Sequence, residues 1–203
     1  MSEKNFDIYL DFNYFKLNLA AFNKLKNKLE YYKEQPYKSY FENNKEINFE
    51  KLNALVEENI IEMEKSIDEF VKDIYLIIET PQSMSFELSV IKNNEGKKIN
   101  KEDAMYLIQD AKLQLLKSNP YIEIVHIIVE NYVVDSTKYK FLPLNINCKK
   151  FSIDLKFICF PKDLIKNFEQ LFSKQQIFIN KIICSNYVQT LKFKNKDNNV
   201  CEL

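Results

Sequence analysis

The chain contains a single glycine, Gly96, among its 203 residues, and this scarcity restricts the sites that it can form. Loops that wrap phosphate groups need glycine, because the backbone there takes positive φ and approaches the ligand closely. Neither the P-loop pattern nor the dinucleotide-binding fingerprint can be written with one glycine. The sequence also lacks arginine and tryptophan, so it offers no bidentate phosphate-binding fork. We therefore do not expect a nucleotide-driven enzyme.

The composition is that of a folded protein, and its balanced charge gives no strong overall electrostatic field. Hydrophobic residues make up 46% of the chain, and 29 basic residues balance 29 acidic ones. Residues 46–79 are locally acidic, with ten acids and three lysines; this indicates a solvated helix face or, as the alternative, an acidic docking surface. No signal segment and no run of about 20 apolar residues occurs. We expect a reduced, cytoplasmic protein with no direct membrane insertion.

Side chains that often carry chemistry form no catalytic or metal-binding pattern. The four cysteines have no close paired spacing, and the one histidine, His126, is expected to be a core or edge residue. Glu79, Asp135 and Asp154 are too scattered to indicate an acid–base pair. The lysine and aromatic residues of 24–41 are mixed with acids, so we expect no nucleic-acid partner. No metal, cofactor or catalytic residue is predicted.

Hydrophobic periodicity predicts strands and a long helix in the first half. Residues 7–32 alternate with period two, which is typical of two or three strands, and the polar residues 35–45 predict a loop. The apolar run 74–78 predicts a central strand covered on both faces, and residues 80–82 mark a domain boundary. Asn48 is a good N-cap for a helix whose apolar stripe has spacings of three and four: Phe49, Leu52, Val56, Ile60, Met63, Ile67 and Phe70.

The second half has a sharper pattern. Residues 93–98 predict a turn, after which Asn100 caps a helix with Asp103 at its third position. Strands are predicted near 122–129, 151–159 and 178–184, with a helix after Pro161 and a connector at 135–147. The strand 122–129 is apolar on both faces, so we expect it inside the sheet. The tail 192–203 has no helical stripe.

One further strand is a predicted interaction surface. Its apolar residues alternate with polar ones, which predicts a single buried face and a place along an exposed edge: Met84, Phe86, Leu88 and Val90. An exposed edge can pair with a strand of another chain. A dimer through this edge and a monomer both remain open.

Four segments have a recognisable pattern: 10–16, 99–103, 126–135 and 151–158. In this order they resemble segments of the family of the bacterial cell division protein FtsA, which has an actin-like ATPase fold. Residues 99–103 and the helix that follows are similar to the start of that family's inserted domain. Residues 126–135 resemble its segment H-x-x-P-x-x-F-x-[IV]-D, and residues 151–158 resemble its next strand. Residues 10–16 lie where the family has its first phosphate loop, D-x-G-[TS]-[ST]-K. The resemblance covers roughly residues 6–188 and only the first portion of a full-length member.

Departures from the family's pattern indicate what the chain does not do. Asp11 and Lys16 match the outer positions of the phosphate loop, but Asn13, Tyr14 and Phe15 replace its glycine and hydroxyl residues. The second phosphate loop, the adenine-binding segment, the FtsZ-binding lobe and the membrane helix have no counterpart. The resemblance therefore implies a protein that neither binds nor hydrolyses ATP, in which Asp11 is a polar residue at a strand end and not a metal-facing carboxylate.

The resemblance implies an α/β (α+β) fold with two parts. Residues 1–79 and a returning strand near 178–188 would form a partial actin-like (ribonuclease H-like) lobe. Residues 80–177 would form a small inserted strand-helix-strand-strand domain, followed by a polar tail at 189–203. The implied function is non-enzymatic contact with division proteins through the inserted domain, in the cytoplasm at the inner face of the membrane. The alternatives are a PilM-type pilus or secretion scaffold of the same architecture and a small-ligand protein with a site between the lobes.

Overall fold

A computed structural model describes residues 5–13, 15–36, 41–42 and 46–194, and it shows a mixed α/β protein. The strands are β1 (Phe6–Phe12), β2 (Lys16–Asn23), β3 (Lys28–Pro36), β4 (Phe41–Glu42), β5 (Glu46–Ile47), β6 (Asp73–Ile78), β7 (Met84–Asn93), β8 (Ile122–Val134), β9 (Thr137–Tyr139), β10 (Lys150–Pro161) and β11 (Phe178–Cys184). The helices are α1 (Phe49–Ile67), α2 (Lys101–Ser118), α3 (Lys162–Ser173) and α4 (Ser185–Lys194). The chain divides into unit 1, Met1–Gln82 with Asp163–Leu203, and unit 2, Ser83–Lys162.

Unit 1 is built on a five-stranded mixed sheet. Its strand order is β11-β6-β1-β2-β3, in which β1, β2 and β3 form an antiparallel meander and β6 and β11 run parallel to β1. Strand β6 is an interior strand of the sheet, as predicted, but only one of its faces is fully buried. The side chains on that face are Ile74, Leu76 and Ile78. Tyr75 on the other face stacks on Tyr9 of β1, with the ring centroids 5.1 Å apart. The expected burial of both faces is therefore met on one face only.

Helices α1 and α3 meet over the buried face of this sheet. Phe168 of α3 packs 5.3 Å from Phe12 of β1 and 5.1 Å from Phe49 of α1, measured between ring centroids. Phe172 lies 6.5 Å from Phe12 in the same way. These contacts agree with the assignment of α3 from Asp163 onward to unit 1, whereas the resemblance had implied that residues 80–177 form the inserted domain. The physical reason is that the apolar face of α3 packs against the aromatic side chains Phe12 and Phe49 of unit 1.

The boundaries of the elements in unit 1 agree with the prediction at the start of α1 and differ from it at other points. Helix α1 begins after the predicted cap, since the Asn48 side chain accepts a hydrogen bond from the N–H of Lys51. It ends at Ile67 because Asp68 takes a left-handed conformation, and Phe70, expected on its stripe, is 78% exposed. Strand β3 continues to Pro36, inside the predicted loop. The returning strand ends at Cys184, and residues 185–194 form α4 where a strand end and a polar tail were expected.

Unit 2 is a four-stranded antiparallel sheet with α2 packed on one face. The strand order is β7-β10-β8-β9, and the apolar side chains of α2 contribute to a core with β7, β8 and β10. A capping box begins the helix: Asn100 Oδ1 accepts the N–H of Asp103, and the Asp103 carboxylate accepts the N–H of Asn100. Lys92 of β7 donates to the same carboxylate, which ties the helix start to the sheet.

The sheet order corrects one prediction about unit 2. Strand β8 continues past Val129 to Val134, but it is not an interior strand along most of its length. It pairs with β10 on one side, while on the other side the three-residue β9, which lies within the predicted connector, pairs only with Tyr132, Val133 and Val134. Within the described residues, the central strand is β10, which has long partners on both sides. Apolar content alone did not distinguish an interior strand from an edge strand.

Turns that would use glycine in other proteins use polar residues here. Gly96 has φ of +78° in the turn between β7 and α2, where its N–H donates to the carbonyl of Cys148 at 2.8 Å. Asparagine and aspartate tolerate this region better than most residues. Seven described non-glycine residues also have positive φ: Asn27, Asp68, Glu95, Asp135, Ser136, Asn145 and Gln176.

Candidate functional site

The turn between β1 and β2 holds the residues that resemble a phosphate loop. Asn13 closes this turn: its side-chain Oδ1 accepts the N–H of Phe15 and the N–H of Lys16, both at 3.0 Å, and its own N–H donates to the Lys16 carbonyl at 3.1 Å. Tyr14 lies outside the described residues. In a phosphate loop, backbone N–H groups of this kind point at the anion. Here the Asn13 oxygen accepts hydrogen bonds from two of them.

Lys16 is held by a neighbouring strand. Its Nζ donates to Glu34 Oε2 of β3 at 2.5 Å, and this hydrogen bond raises the pKa of the lysine. Phe15, next to it, is 78% exposed. The cation that the family's loop would direct to a phosphate is therefore paired with a carboxylate. The sequence could not reveal this pair, because it depends on the register of β2 with β3.

The structure brings together two carboxylates that the sequence had treated as separate. Asp11 lies near the end of β1, and Glu79 directly follows the parallel neighbour β6; the Glu79 N–H donates to the Phe12 carbonyl at 2.8 Å. Asn18 Nδ2 donates to Asp11 Oδ2 at 3.1 Å. Burial raises the pKa of Glu79, and the charge of Asp11 raises it further. Because the carboxyl ends of adjacent parallel strands meet at one edge of a sheet, the sequence could have predicted this proximity from the positions of Asp11 and Glu79 at the ends of β1 and β6.

Replacing Glu79 with glutamine should stabilise the protein at neutral pH. The raised pKa means that the native state binds this proton more tightly than the unfolded chain does. Ionised Glu79 therefore costs stability above the folded-state pKa, and the cost vanishes below the unfolded-state pKa of about 4.3. We expect Glu79→Gln to raise the Tm at pH 7 by an increment that shrinks toward pH 4. Glu58→Gln, on the exposed side of α1, is the control, and a lower Tm for Glu79→Gln at pH 7 would contradict the assignment.

The predicted interaction residues lie on β7, which is an edge strand of the unit 2 sheet. Val90 is buried, and Met84, Phe86 and Leu88 are half-buried against the core of unit 2. These side chains therefore pack in the core of unit 2, and the groups that β7 offers to a partner at its free edge are backbone N–H and C=O groups. The outward side chains are Ser85, Glu87, Ser89 and Ile91, all exposed.

The edge formed by β7 lacks the protection that other edge strands have. Edges are commonly blunted by lysine, proline or bulges. Strand β3 contains the exposed Lys28 and ends at Pro36. Strand β11 has a register irregularity and an exposed Lys181, and β8 has two irregularities against β10. Strand β7 pairs with β10 over ten residues without a register shift. Its one outward charge is Glu87, whose Oε1 lies 3.8 Å from Lys156 Nζ.

The remaining polar side chains of unit 2 serve its structure. Asp154 accepts hydrogen bonds from Ser89 Oγ at 2.7 Å and from Asn131 Nδ2 at 3.2 Å on the outward face of the sheet. Asp135, another carboxylate considered from the sequence, accepts the N–H groups of Lys149 and Lys150. His126 is buried in β8. No group of three His, Cys, Asp or Glu side chains in the described ranges could hold a metal ion.

Comparisons with known proteins give a distant likeness. No protein-family model matches the chain, and no curated protein matches it by sequence. Among solved structures it is similar to a Bacteroides thetaiotaomicron protein with actin-like ATPase fold and unknown function, at 9% identity and a TM-score of 0.40. The match covers 95% of this chain and 57% of that protein. At this TM-score the likeness carries no conclusion about function. None of the helices in the described residues has the length and apolar character needed to cross a membrane.

Proposed function

We propose that this chain is a non-enzymatic protein of the actin-like (ribonuclease H-like) fold, similar to FtsA, that acts in cell division through protein contacts of unit 2. Two features of the topology support the fold. Unit 1 has an antiparallel meander extended by two parallel strands, and unit 2 is inserted before the last of them. Apart from the three-residue β9, unit 2 follows the strand-helix-strand-strand order that the resemblance implies.

The observation that carries the proposed contact function is the unprotected edge of β7. Ten residues pair in regular register on one side, and the outward side chains are exposed. An extended segment of a partner can add to such an edge through main-chain hydrogen bonds. The assignment to cell division rests on the resemblance of the segments 99–103, 126–135 and 151–158. Its place of action would be the cytoplasmic side of the membrane at the division site.

The β1–β2 turn supports the non-enzymatic part of the proposal. Asn13 Oδ1 accepts the N–H groups of Phe15 and Lys16, and Glu34 holds the lysine. Binding of ATP would have to break these interactions before the loop could contact a phosphate. We expect calorimetric titration with magnesium and ATP to show no saturable binding, and a Kd below about 1 mM, equivalent to −4.1 kcal/mol, would contradict this expectation.

Capture of partners tests the cell division role. The tagged full chain is incubated with lysate of its source organism, and bound proteins are identified by mass spectrometry. The edge variant carries Ser85→Lys with Ile91→Lys, two exposed positions where lysine blunts an edge. The control variant carries Ile61→Lys with Ser66→Lys on the exposed side of α1.

Enrichment of division proteins by the wild type and the control, but not by the edge variant, would support the proposal. Enrichment of pilus or secretion components would replace it with the scaffold function. Equal recovery of division proteins by all three chains would remove β7 from the contact surface. Recovery of no division protein would overturn the assignment.

A further inference from the structure

The apolar row on β7 is incompletely covered, and the missing neighbour strand explains why. On the same face of the neighbouring β10, the side chains of Ile153, Leu155, Phe157 and Cys159 are between 0% and 1% exposed. Of their cross-strand partners on β7, which pack against the same core, Val90 is buried, whereas Met84, Phe86 and Leu88 remain half-buried. The difference is that β10 has strands on both sides, while β7 has one. A strand added beside β7 would complete the burial of its apolar row.

A strand that fits this position needs two properties. It must place an apolar row toward α2 and small or polar residues on the outward face, with the same length and a straight register. Strand β7 itself meets these requirements at all but one position: its row of Met84, Phe86, Leu88 and Val90 alternates with Ser85, Glu87 and Ser89, and the exception is the exposed Ile91. We propose that a second copy of this chain pairs with β7, antiparallel and two-fold symmetric about Leu88. This inference rests on the proposed use of the β7 edge.

The register about Leu88 matches side chains across the junction. Directly opposite residues of an antiparallel pair lie on the same face, so Leu88 meets Leu88 of the second copy, and Phe86 meets Val90 of the second copy. On the outward face Glu87 lies opposite Ser89, and Ser85 lies opposite Ile91. Centring the pair on Glu87 instead would set two glutamates directly opposite, which is destabilising. The charge pattern therefore argues against a centre at Glu87 and is compatible with a centre at Leu88.

The symmetry limits the assembly to a dimer. A two-fold axis uses the same edge of both copies, so the contact closes on itself and does not propagate. The product is a continuous eight-stranded antiparallel sheet, formed from the two four-stranded sheets, with both copies of α2 on one face. An interface of one strand pair is smaller than the roughly 1,600 Å² of a standard stable complex. We therefore expect a reversible dimer with a Kd in the range of about 1–100 μM.

Sedimentation equilibrium of the full chain from about 1 μM to 500 μM tests the dimer and its register. The first variant is Ser85→Lys with Ile91→Lys, which places lysines opposite each other across the proposed junction. The second is Ser85→Glu with Ile91→Lys, which places unlike charges opposite each other at the same positions. Both positions are exposed on the outward face, and circular dichroism and thermal melting check that both variants fold like the wild type.

We expect the wild type and the glutamate–lysine variant to dimerise, and the lysine–lysine variant to bind itself at least tenfold more weakly. A wild type that remains monomeric at 500 μM would overturn the inference. So would equal dimer affinities for the two variants. Capture of division proteins by a monomeric wild type would leave the proposed function in place while this inference fails. A register-dependent dimer that captures no division protein would support this inference while the proposed function fails.

Discussion

Phe168→Ala should lower the free energy of unfolding by about 3–5 kcal/mol, the range for truncating a buried phenylalanine. Phe168 is fully buried, and its ring contacts Phe12 of β1 and Phe49 of α1 at centroid distances of 5.3 Å and 5.1 Å. Truncation leaves a cavity where β1, α1 and α3 meet. Because domains of this size are stable by about 5–15 kcal/mol, the loss should be visible as a large fall in the denaturation midpoint.

Chemical denaturation followed by circular dichroism measures this loss. The matched control is Phe178→Ala, which removes the same atoms from a side chain that is 75% exposed; we expect a change within about 0.5 kcal/mol, as is usual for surface positions. If Phe168→Ala cost less than about 1 kcal/mol, α3 would not belong to the core of unit 1. The assignment of α3 to that unit would then be wrong.

Cys159 should be almost inert toward thiol reagents in the native protein. Its side chain lies in the core of unit 2, where burial raises the pKa of the thiol to about 11, with a smaller contribution from the charge of Glu123. The reference pKa is 9.0, and thiolate is the reactive form. Two pKa units reduce the thiolate fraction at pH 8 about 100-fold, before any steric protection by the core is counted.

Alkylation at pH 8 with peptide-level mass spectrometry measures the rate at Cys159. We expect a rate at least 100-fold below that of the same cysteine in denaturant, rising with pH as the thiol ionises. Cys148 is an internal comparison, because burial also raises its pKa while Asn94 Nδ2 lies 3.4 Å from its sulfur. Native labelling of Cys159 at the denatured rate would show that unit 2 opens readily or that its core is packed differently.

Local signals in the sequence predicted the helix starts well. Asn48 and the Asn100–Asp103 capping box act through hydrogen bonds within three residues, so their partners can be read directly from the spacing. The alternation on β7 was equally informative, because a one-sided apolar pattern indicates which face is buried. These features depend on neighbours in the chain and need no knowledge of the rest of the fold.

Features that depend on distant residues were harder to predict. The apolar content of β8 suggested an interior strand, yet its sheet position is set by β10 and the short β9. Helix α3 looked like part of the inserted domain until its phenylalanines were seen to pack with Phe12 and Phe49. Residues 185–194 were divided between the end of a predicted strand and a predicted polar tail, so α4 was missed. For α3 the deciding contacts join parts of the chain that are far apart in sequence.

The candidate site likewise combines features that the sequence predicted with features that needed the structure. Replacement of the loop glycine and hydroxyl residues was evident from Asn13 and Phe15, so loss of phosphate binding was a sequence-level prediction. The means by which the turn satisfies its own N–H groups needed the conformation of Asn13. The pairing of Lys16 with Glu34 needed strand register, whereas the closeness of Asp11 to Glu79 needed only the parallel pairing of β1 with β6.

The division of unit 1 in the sequence has a consequence for synthesis on the ribosome. Strand β6 ends at Ile78, but β11, its parallel neighbour, begins only at Phe178. Unit 2 is contiguous and can fold as soon as Ser83–Lys162 has emerged, which at about 5–20 residues per second takes roughly 4–16 s. During that time β6 has its β1 neighbour but not its β11 neighbour, and one edge of this apolar strand is exposed to solvent. The nascent chain should therefore be most vulnerable to aggregation and most dependent on chaperones in this interval.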